Sequence, residues 1–513
     1  MTARHFELER SQKDLKGRAV RGAAAKLLSN LGGAAGQLLS GVILARLLVP
    51  DDFGLVAMVT AYTMILADVG ELGLGQAVVQ AEKLTHEQVS KLFWINVGLS
   101  AGMAVLFSAL SPVLVWFYEE PRLQPIAITI SIGFIFKGLG AQHLGLLNRG
   151  MRFSEIAALE MAGSTVSIAL AVTLAWFGWG YWALAVRRVV VHLVTCIGAW
   201  SLSGWKPGFH VRAEGTGPLI RYGAYTFGAQ ALFNARQNID KVLIGWRYGA
   251  MPLGLYDRAQ QLFVLPFNQL TSPLSSVAVS TLSRLRNERQ RYHRYYLEAI
   301  SLVALVGMMM SAVVTVVGQD AVVLVLGAQW RESGVFLTAF GPGVGMLLLS
   351  SAQNWLHLSL GRADRSLRWN LVVLVASALA LMMGLLFGPF GVACAYSVML
   401  HVLLGPGFWY AGKPIGLSVS AVASVVWRYW ASALVAAALC WYLQHRVAFT
   451  SGVYVELNVL SRVLAVSILC VSVYLLCTVV FHGSTVPVSR VLKLAAQLAP
   501  WRRRPEASIG EPA

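Results

Sequence analysis

Charge is what this sequence has least of: Asp, Glu, Lys and Arg make up only 13% of its 513 residues, while 57% are hydrophobic. With a mean hydropathy of +0.62 and apolar residues along the whole length, the composition excludes a soluble globular protein and reads as a polytopic membrane protein. Paired cysteines are missing as well. Cys196, Cys394, Cys440, Cys470 and Cys477 all fall in apolar runs, without CxxC or Cys/His spacing, so packing is their expected job and no metal site is expected. No GxxxxGK[ST] loop occurs, which excludes ATP as the direct source of power. The longest expected outer connection, 319 to 333, leaves no room for a soluble catalytic domain. Neither enzyme nor cofactor is therefore expected.

What the sequence has in abundance is long apolar runs. At about 20 residues per span, about fourteen transmembrane helices are expected. They lie near 24–48, 53–77, 92–117, 123–147, 153–176, 181–203, 220–246, 253–281, 296–318, 334–360, 368–388, 391–411, 426–444 and 459–481. The first, seventh and eighth are the least apolar. The fold class expected is all-α and polytopic.

Residues 1–21 are hydrophilic and basic and do not read as a cleavable signal, so the N-terminus is expected in the cytoplasm. The even-numbered connections then collect Lys83, Lys91, Arg149, Arg152, Lys206, Arg212 and Arg221, the run from Arg284 to Arg294, Arg362, Arg365, Arg368 and Lys413. The C-terminal tail adds Arg490, Lys493 and Arg502 to Arg504, whereas the outer side holds few cations beside Asp51, Asp52, Glu119 and Glu120. That asymmetry obeys the positive-inside rule from end to end and places both termini in the cytoplasm. The net charge of +17 is thus assigned to anionic lipid headgroups, and no nucleic-acid partner is expected. Trp116, Trp176, Trp179, Trp182, Trp246, Trp427 and Trp430 fall near span ends, as interfacial indoles do.

A weak internal repeat appears at a shift of about 200 residues: Gly54-Leu55 falls on Gly254-Leu255, Leu74 on Leu274 and Val79 on Val279. Six helices return a chain to its starting side, so two parallel six-helix lobes with a site between them are expected. The expected division is a basic tail 1–21, an N-lobe 22–205, a C-lobe 206–412, two added spans within 413–483, and a basic tail 484–513.

Charges inside spans need a reason, because a lone ion at bilayer depth is costly. Arg236 and Asp240, four apart, share a helix face and are expected to pair. After them the chain is expected to turn over Gly249 to Gly254 and restart beyond Asp257 and Arg258. Arg46, Arg187, Arg188, Arg236, Lys241 and Arg258 all fall in the outer halves of their spans, and such a group suits an anionic substrate, phosphate or carboxylate. Asp68 and Glu71, on one face of the second span, are candidates with Asp240 for holding a coupling proton or cation. Internal pairing, or snorkelling to the interface, is the structural alternative for each of these groups.

The run NIDKVLIGWRYGAMPLGLYDRAQQLFVLP, with ARLLVPDDFGLVAM and ELGLGQAVVQ earlier in the chain, resembles the polysaccharide transporter family of the multidrug/oligosaccharidyl-lipid/polysaccharide flippase superfamily. It is most similar to the Wzx-type exporters of colanic acid and succinoglycan. The resemblance spans about residues 20–480, and Asn238, Asp240, Gly245, Gly254 and Tyr256 match the motif; Trp246-Arg247 is bulkier than that motif leads one to expect. It implies alternating access by a two-lobed bundle. It implies, further, flipping of undecaprenyl-diphosphate-linked oligosaccharide repeat units across the bacterial inner membrane, with a polysaccharide polymerase and chain-length proteins as possible partners. The alternative is a cation-coupled drug antiporter of the same superfamily, whose cavity would be acidic and aromatic instead of cationic. A membrane enzyme ranks third, for want of a long outer loop. If Asp68 couples transport to an ion gradient, Asp68→Asn will slow gradient-driven transport in vesicles; an unchanged rate would make the residue structural.

Overall fold

The protein is described from a computed structural model, in which residues 32–33, 36–66, 85–209, 234–447, 458–486 and 489 are placed. Helices account for almost all of them, and no strand occurs among the described residues. In chain order α1 is Gly36–Leu47, α2 Pro50–Leu66, α3 His86–Ala109, α4 Ser111–Tyr118, α5 Leu123–Arg149, α6 Phe153–Trp176 and α7 Tyr181–Ser203. They are followed by α8 at 234–248, α9 Ala250–Arg284, α10 Arg289–Leu326, α11 Arg331–Phe340, α12 Gly343–Ser359 and α13 Ala363–Leu385. Last come α14 Gly388–Gly412, α15 Val419–Tyr442 and α16 Val459–His482.

Ends are set by local chemistry. Thr85 and Gln88 form a reciprocal capping box at the start of α3, Ser418 and Asn458 cap α15 and α16, and Gly204, at φ 61°, closes α7. The turn expected over 249–254 shrinks to one residue. Gly249 takes a φ of 84°, and Pro252 is absorbed into the first turn of α9, where its missing N–H leaves no hydrogen bond unmade.

Among the described residues, nine helices are long and apolar enough to cross a membrane, and ten if the pair Ala328–Phe340 and Gly343–Ser359, bent by 53°, forms one broken span. The expected spans that fall short are the first, second, seventh and eighth. The first, second and seventh extend beyond the described residues. The eighth, α9, has ample length at 35 residues, about 52 Å at 1.5 Å per residue, but carries Asp257, Arg258, Gln260 and Gln261. Exposed apolar side chains cover the other helices. Trp116 (78% exposed), Trp176 and Trp179 sit at helix ends as expected of interfacial indoles.

The described residues gather into two compact units, one drawn from within 1–265, 322–336 and 370–395, the other from within 266–321, 337–369 and 396–513. In the second, the core is built on Tyr292, Tyr296, Leu349, Trp355, Phe408, Tyr429 and Tyr474. Its phenols keep their hydrogen bonds in the apolar interior: Tyr296 donates to the Ala352 carbonyl at 3.0 Å and Tyr474 to that of Leu305 at 2.9 Å. In the first unit α5 packs on α3 and α7, and α7 on α6. Small residues permit this, as at Gly138, where an added Cβ would lie 2.5 Å from the Cβ of Ser100.

Among the described glycines of this unit, the tightest approach to another helix's backbone joins α2 to α9. A Cβ on Gly54 would stand 1.7 Å from the Ala250 carbonyl oxygen, and one on Gly254 would stand 1.9 Å from that of Pro50. The contact is reciprocal: residue 54 meets 250 and residue 254 meets 50, and a shift of 200 carries each pair onto the other. Positions matched by the sequence repeat thus fill each other's missing side chains. Accordingly, Gly54→Ala and Gly254→Ala should each cost about 1–3 kcal/mol through overpacking, seen as a lowered thermal transition in detergent. Gly98→Ala, at a site with open space, serves as the control and should change little.

Candidate functional site

The α8–α9 hairpin is held by two buried carboxylates facing opposite ways. Asp240 on α8, 3% exposed, accepts from the Tyr256 hydroxyl at 2.8 Å and the Gln260 amide at 2.6 Å on α9, and from the Lys241 backbone N–H at 2.9 Å. Asp257 on α9, also 3% exposed, receives Lys241 from α8, with Nζ to Oδ1 at 2.8 Å. Its other oxygen accepts from Arg258 at 2.7 Å and from Gln261 at 3.2 Å. The two knots differ in kind: neutral donors hold Asp240, and cations hold Asp257.

The expected pairing of Arg236 with Asp240 does not form. Oδ2 of Asp240 is taken by Tyr256 and Gln260 of α9 and Oδ1 by the Lys241 N–H, and Arg236 reaches Asn370 at 3.3 Å instead. Other motif positions also turn out to be packing positions. Asn238 is buried and donates to the Asn234 carbonyl at 2.9 Å. Gly245 leaves room for Tyr118, Leu253 and Met58, each of which a Cβ would crowd to between 2.9 and 3.2 Å. Tyr256 is fully buried.

The cation-held knot opens onto a cavity of about 310 Å³ inside the first unit. Its walls are α1 (Gln37, Gly41, Leu44), α2 (Phe53 to Met64), α6 (Ser164, Ser167), α7 (Leu184, Arg187, Arg188, Val191), α8 (Lys241) and α9 (Asp257, Arg258, Gln261). Four cations meet one carboxylate there. Lys241 and Arg258 are committed to Asp257, and the Arg258 guanidinium also lies over the Phe53 ring, 4.4 Å from its centre. One of its N–H groups, on Nε, is buried without an acceptor. Arg187 and Arg188 have no hydrogen-bond or ion-pair partner among the described residues. Two guanidiniums beside an ion pair have the chemistry to hold a multivalent anion by charge-assisted hydrogen bonds.

Of the six cations expected to hold substrate, the structure brings together Arg187, Arg188, Lys241 and Arg258. Arg46 and Arg236 stand apart from this cavity. Arg46 is exposed and donates to the Leu324 carbonyl at 3.2 Å. Asp68 and Glu71 lie outside the described residues. Asp257 was visible in the sequence as a charge at membrane depth, but not its role. The signal was its place across the hairpin from Lys241, which only the one-residue turn at Gly249 makes a contact.

The polysaccharide biosynthesis protein family model matches residues 43–334, more than half of the 513 residues. The chain belongs to that family. It is similar to the teichuronic acid biosynthesis protein TuaB of Bacillus subtilis (strain 168), 25% identical over 366 residues that cover 71% of this chain and 75% of that one. It is likewise similar to the lipopolysaccharide biosynthesis protein WzxC of Escherichia coli (strain K12), 22% identical, covering 72% and 78%. The succinoglycan biosynthesis transport protein ExoT of Rhizobium meliloti (strain 1021) is 23% identical, covering 71% and 74%. Among solved structures, the lipid II flippase MurJ in an inward closed conformation superposes with a TM-score of 0.70 at 15% identity, covering 90% of this chain and 99% of that one. An inward-facing multidrug resistance MATE transporter gives 0.61 at 15% identity, covering 76% and 96%. The fold is therefore that of polytopic transporters, as the sequence led one to expect, and the family places the protein in polysaccharide biosynthesis.

The motif geometry yields one check. Tyr256→Phe leaves the buried Asp240 one donor short and should cost about 1–3 kcal/mol, read as a lower thermal transition, with anion binding in the cavity retained because the ring does not line it.

Proposed function

We propose that this chain exports polysaccharide by flipping a lipid-linked oligosaccharide, with undecaprenyl diphosphate as the carrier, from the cytoplasmic to the outer leaflet of the bacterial inner membrane. The observation that carries this reading is the pair Arg187 and Arg188, half-buried and unpaired among the described residues, in a cavity whose lining has four cations to one carboxylate. A diphosphate is the part of such a substrate that has no other way to leave water, since moving its charge into a low dielectric without counter-ions is prohibitive. Four cations within one cavity supply them.

Chemical catalysis has no part in this. The headgroup is held by Arg187, Arg188, Lys241 and Arg258 while the polyprenyl tail stays in lipid, and the cavity opens alternately to the two faces of the membrane. The lobes 22–205 and 206–412 are the proposed moving parts, spans 13 and 14 an addition to them, and both termini lie in the cytoplasm. Asp240, Asp68 and Glu71 are kept as candidates for ion coupling; Arg46 and Arg236 serve in this reading as structural cations. Membrane lipids surround the protein, and a polysaccharide polymerase and chain-length proteins act on the exported unit.

The names of the relatives, which include a succinoglycan transport protein, support this reading over the drug antiporter. So does the cavity's charge, which would repel a cationic drug.

Arg188→Gln keeps side-chain bulk but removes the charge. Losing one charge-assisted contact of about 1.5–3 kcal/mol corresponds to about 10- to 100-fold in affinity. Cells carrying it should lose surface polysaccharide and accumulate the lipid-linked repeat unit at normal protein level. Normal polysaccharide would remove Arg188 from the mechanism.

A further inference from the structure

Among the described residues Asp257 is the one acidic group in the cavity lining, and both of its oxygens are occupied: Oδ1 by Lys241, Oδ2 by Arg258 and Gln261. The groups that face it from the surrounding elements are cationic or neutral. Lys241 comes from α8, Arg258 from its own helix, Arg187 and Arg188 from α7; α1, α2 and α6 add only neutral Gln37, Thr60, Ser164 and Ser167. In shape and charge its carboxylate occupies the place that an oxyanion of an incoming ligand would take against Lys241 and Arg258.

We propose that Asp257 is an internal counter-anion that a bound diphosphate displaces, and that the displaced carboxylate takes up a proton. This deepens the reading of the cavity as a headgroup site and rests on it. The step balances as follows. The ligand arrives at the unpaired Arg187 and Arg188; its oxygens then replace Oδ1 at Lys241 and Oδ2 at Arg258. The freed carboxylate stays within the protein, hydrogen-bonded to Gln261 alone. An ionised carboxylate without a cation is disfavoured there, so it binds a proton from water and becomes a neutral acid. Nothing is oxidised or reduced. On release the proton leaves and the clasp on Lys241 and Arg258 closes again.

The arrangement has a purpose. Four cations in a buried cavity would bind a diphosphate too tightly to let it go, and an empty cavity of that charge would be costly to keep folded. A resident carboxylate answers both problems: it neutralises part of the empty site and competes for the cations at release. Its i to i+1 attachment to Arg258 and its i to i+4 contact with Gln261 keep it within reach throughout.

The probe is inorganic pyrophosphate, added to full-length protein in detergent and followed by titration calorimetry in two buffers of different ionisation enthalpy. Uptake of about one proton per pyrophosphate bound is expected, with affinity falling as pH rises. In Asp257→Asn the uptake should vanish, affinity should rise at least about tenfold, since a neutral amide competes weakly for the cations, and export should slow at the release step. Binding by the wild type without proton uptake overturns the role of Asp257 while leaving the anion site standing; this measurement does not depend on whether the variant folds. No binding by the wild type overturns both readings. Equal affinity in a folded Asp257→Asn overturns the competition.

Discussion

The structure depends on where it can afford to put charge. Hydrocarbon offers an ion no partner, so charge at membrane depth is kept where protein meets it or where it lines a cavity. Lys241, Asp257 and Arg258 meet this demand among themselves, within one hairpin and at hydrogen-bond distance. From that follows the division of labour among the helices. Those that carry the ions or face them, α1, α2, α6, α7, α8 and α9, close around a cavity. Helices free of charge in their middle, such as α16, turn Leu464, Ile468 and Leu476 outward.

Two acidic residues in the same hairpin illustrate how environment assigns different roles to the same chemistry. Asp240 is surrounded by a phenol, an amide and a backbone N–H, all neutral and all supplied by elements that pack tightly. It fastens α8 to α9. Asp257, from the opposite helix, is met by cations at the edge of a cavity. The family motif, Asn238, Asp240, Gly245, Gly254 and Tyr256, lies wholly on the fastening side. Asp240 and Tyr256 fasten the hairpin, and Gly245 and Gly254 admit close neighbours; the residues that meet the cavity lie between and beside them.

Much of this was legible in the sequence, and what was not had physical reasons. Apolar runs announced the helices, and the first, seventh and eighth spans, the least apolar, supply three of the six helices that line the cavity. Arg187, Arg188, Lys241 and Arg258 were identifiable because charge at depth is expensive wherever it occurs. Partners were not. The spacing of Arg236 and Asp240 satisfied the helical rule for a pair, yet a neighbouring helix outbid the side chain one turn away, and no periodicity within α8 records the approach of α9. Arg46 does not line the cavity for a related reason: depth in the bilayer follows from position in a span, whereas orientation toward a cavity follows from helix rotation. A turn of six residues over 249–254 was expected where one glycine suffices, because Pro252 reads as a breaker until it is seen to begin a helix.

The reciprocal seating of Gly54 on Ala250 and Gly254 on Pro50 has a bearing on how such a chain can diverge. If the two halves arose by duplication, most positions have been free to drift apart, and the faintness of the repeat shows that they did. This seam is an exception, because the space each glycine leaves is occupied by the other half's main chain, which no exchange of side chains can withdraw. A methyl group gained in one half has no compensating loss available in the other. These two positions are therefore confined to glycine on steric grounds, however the surrounding sequence changes.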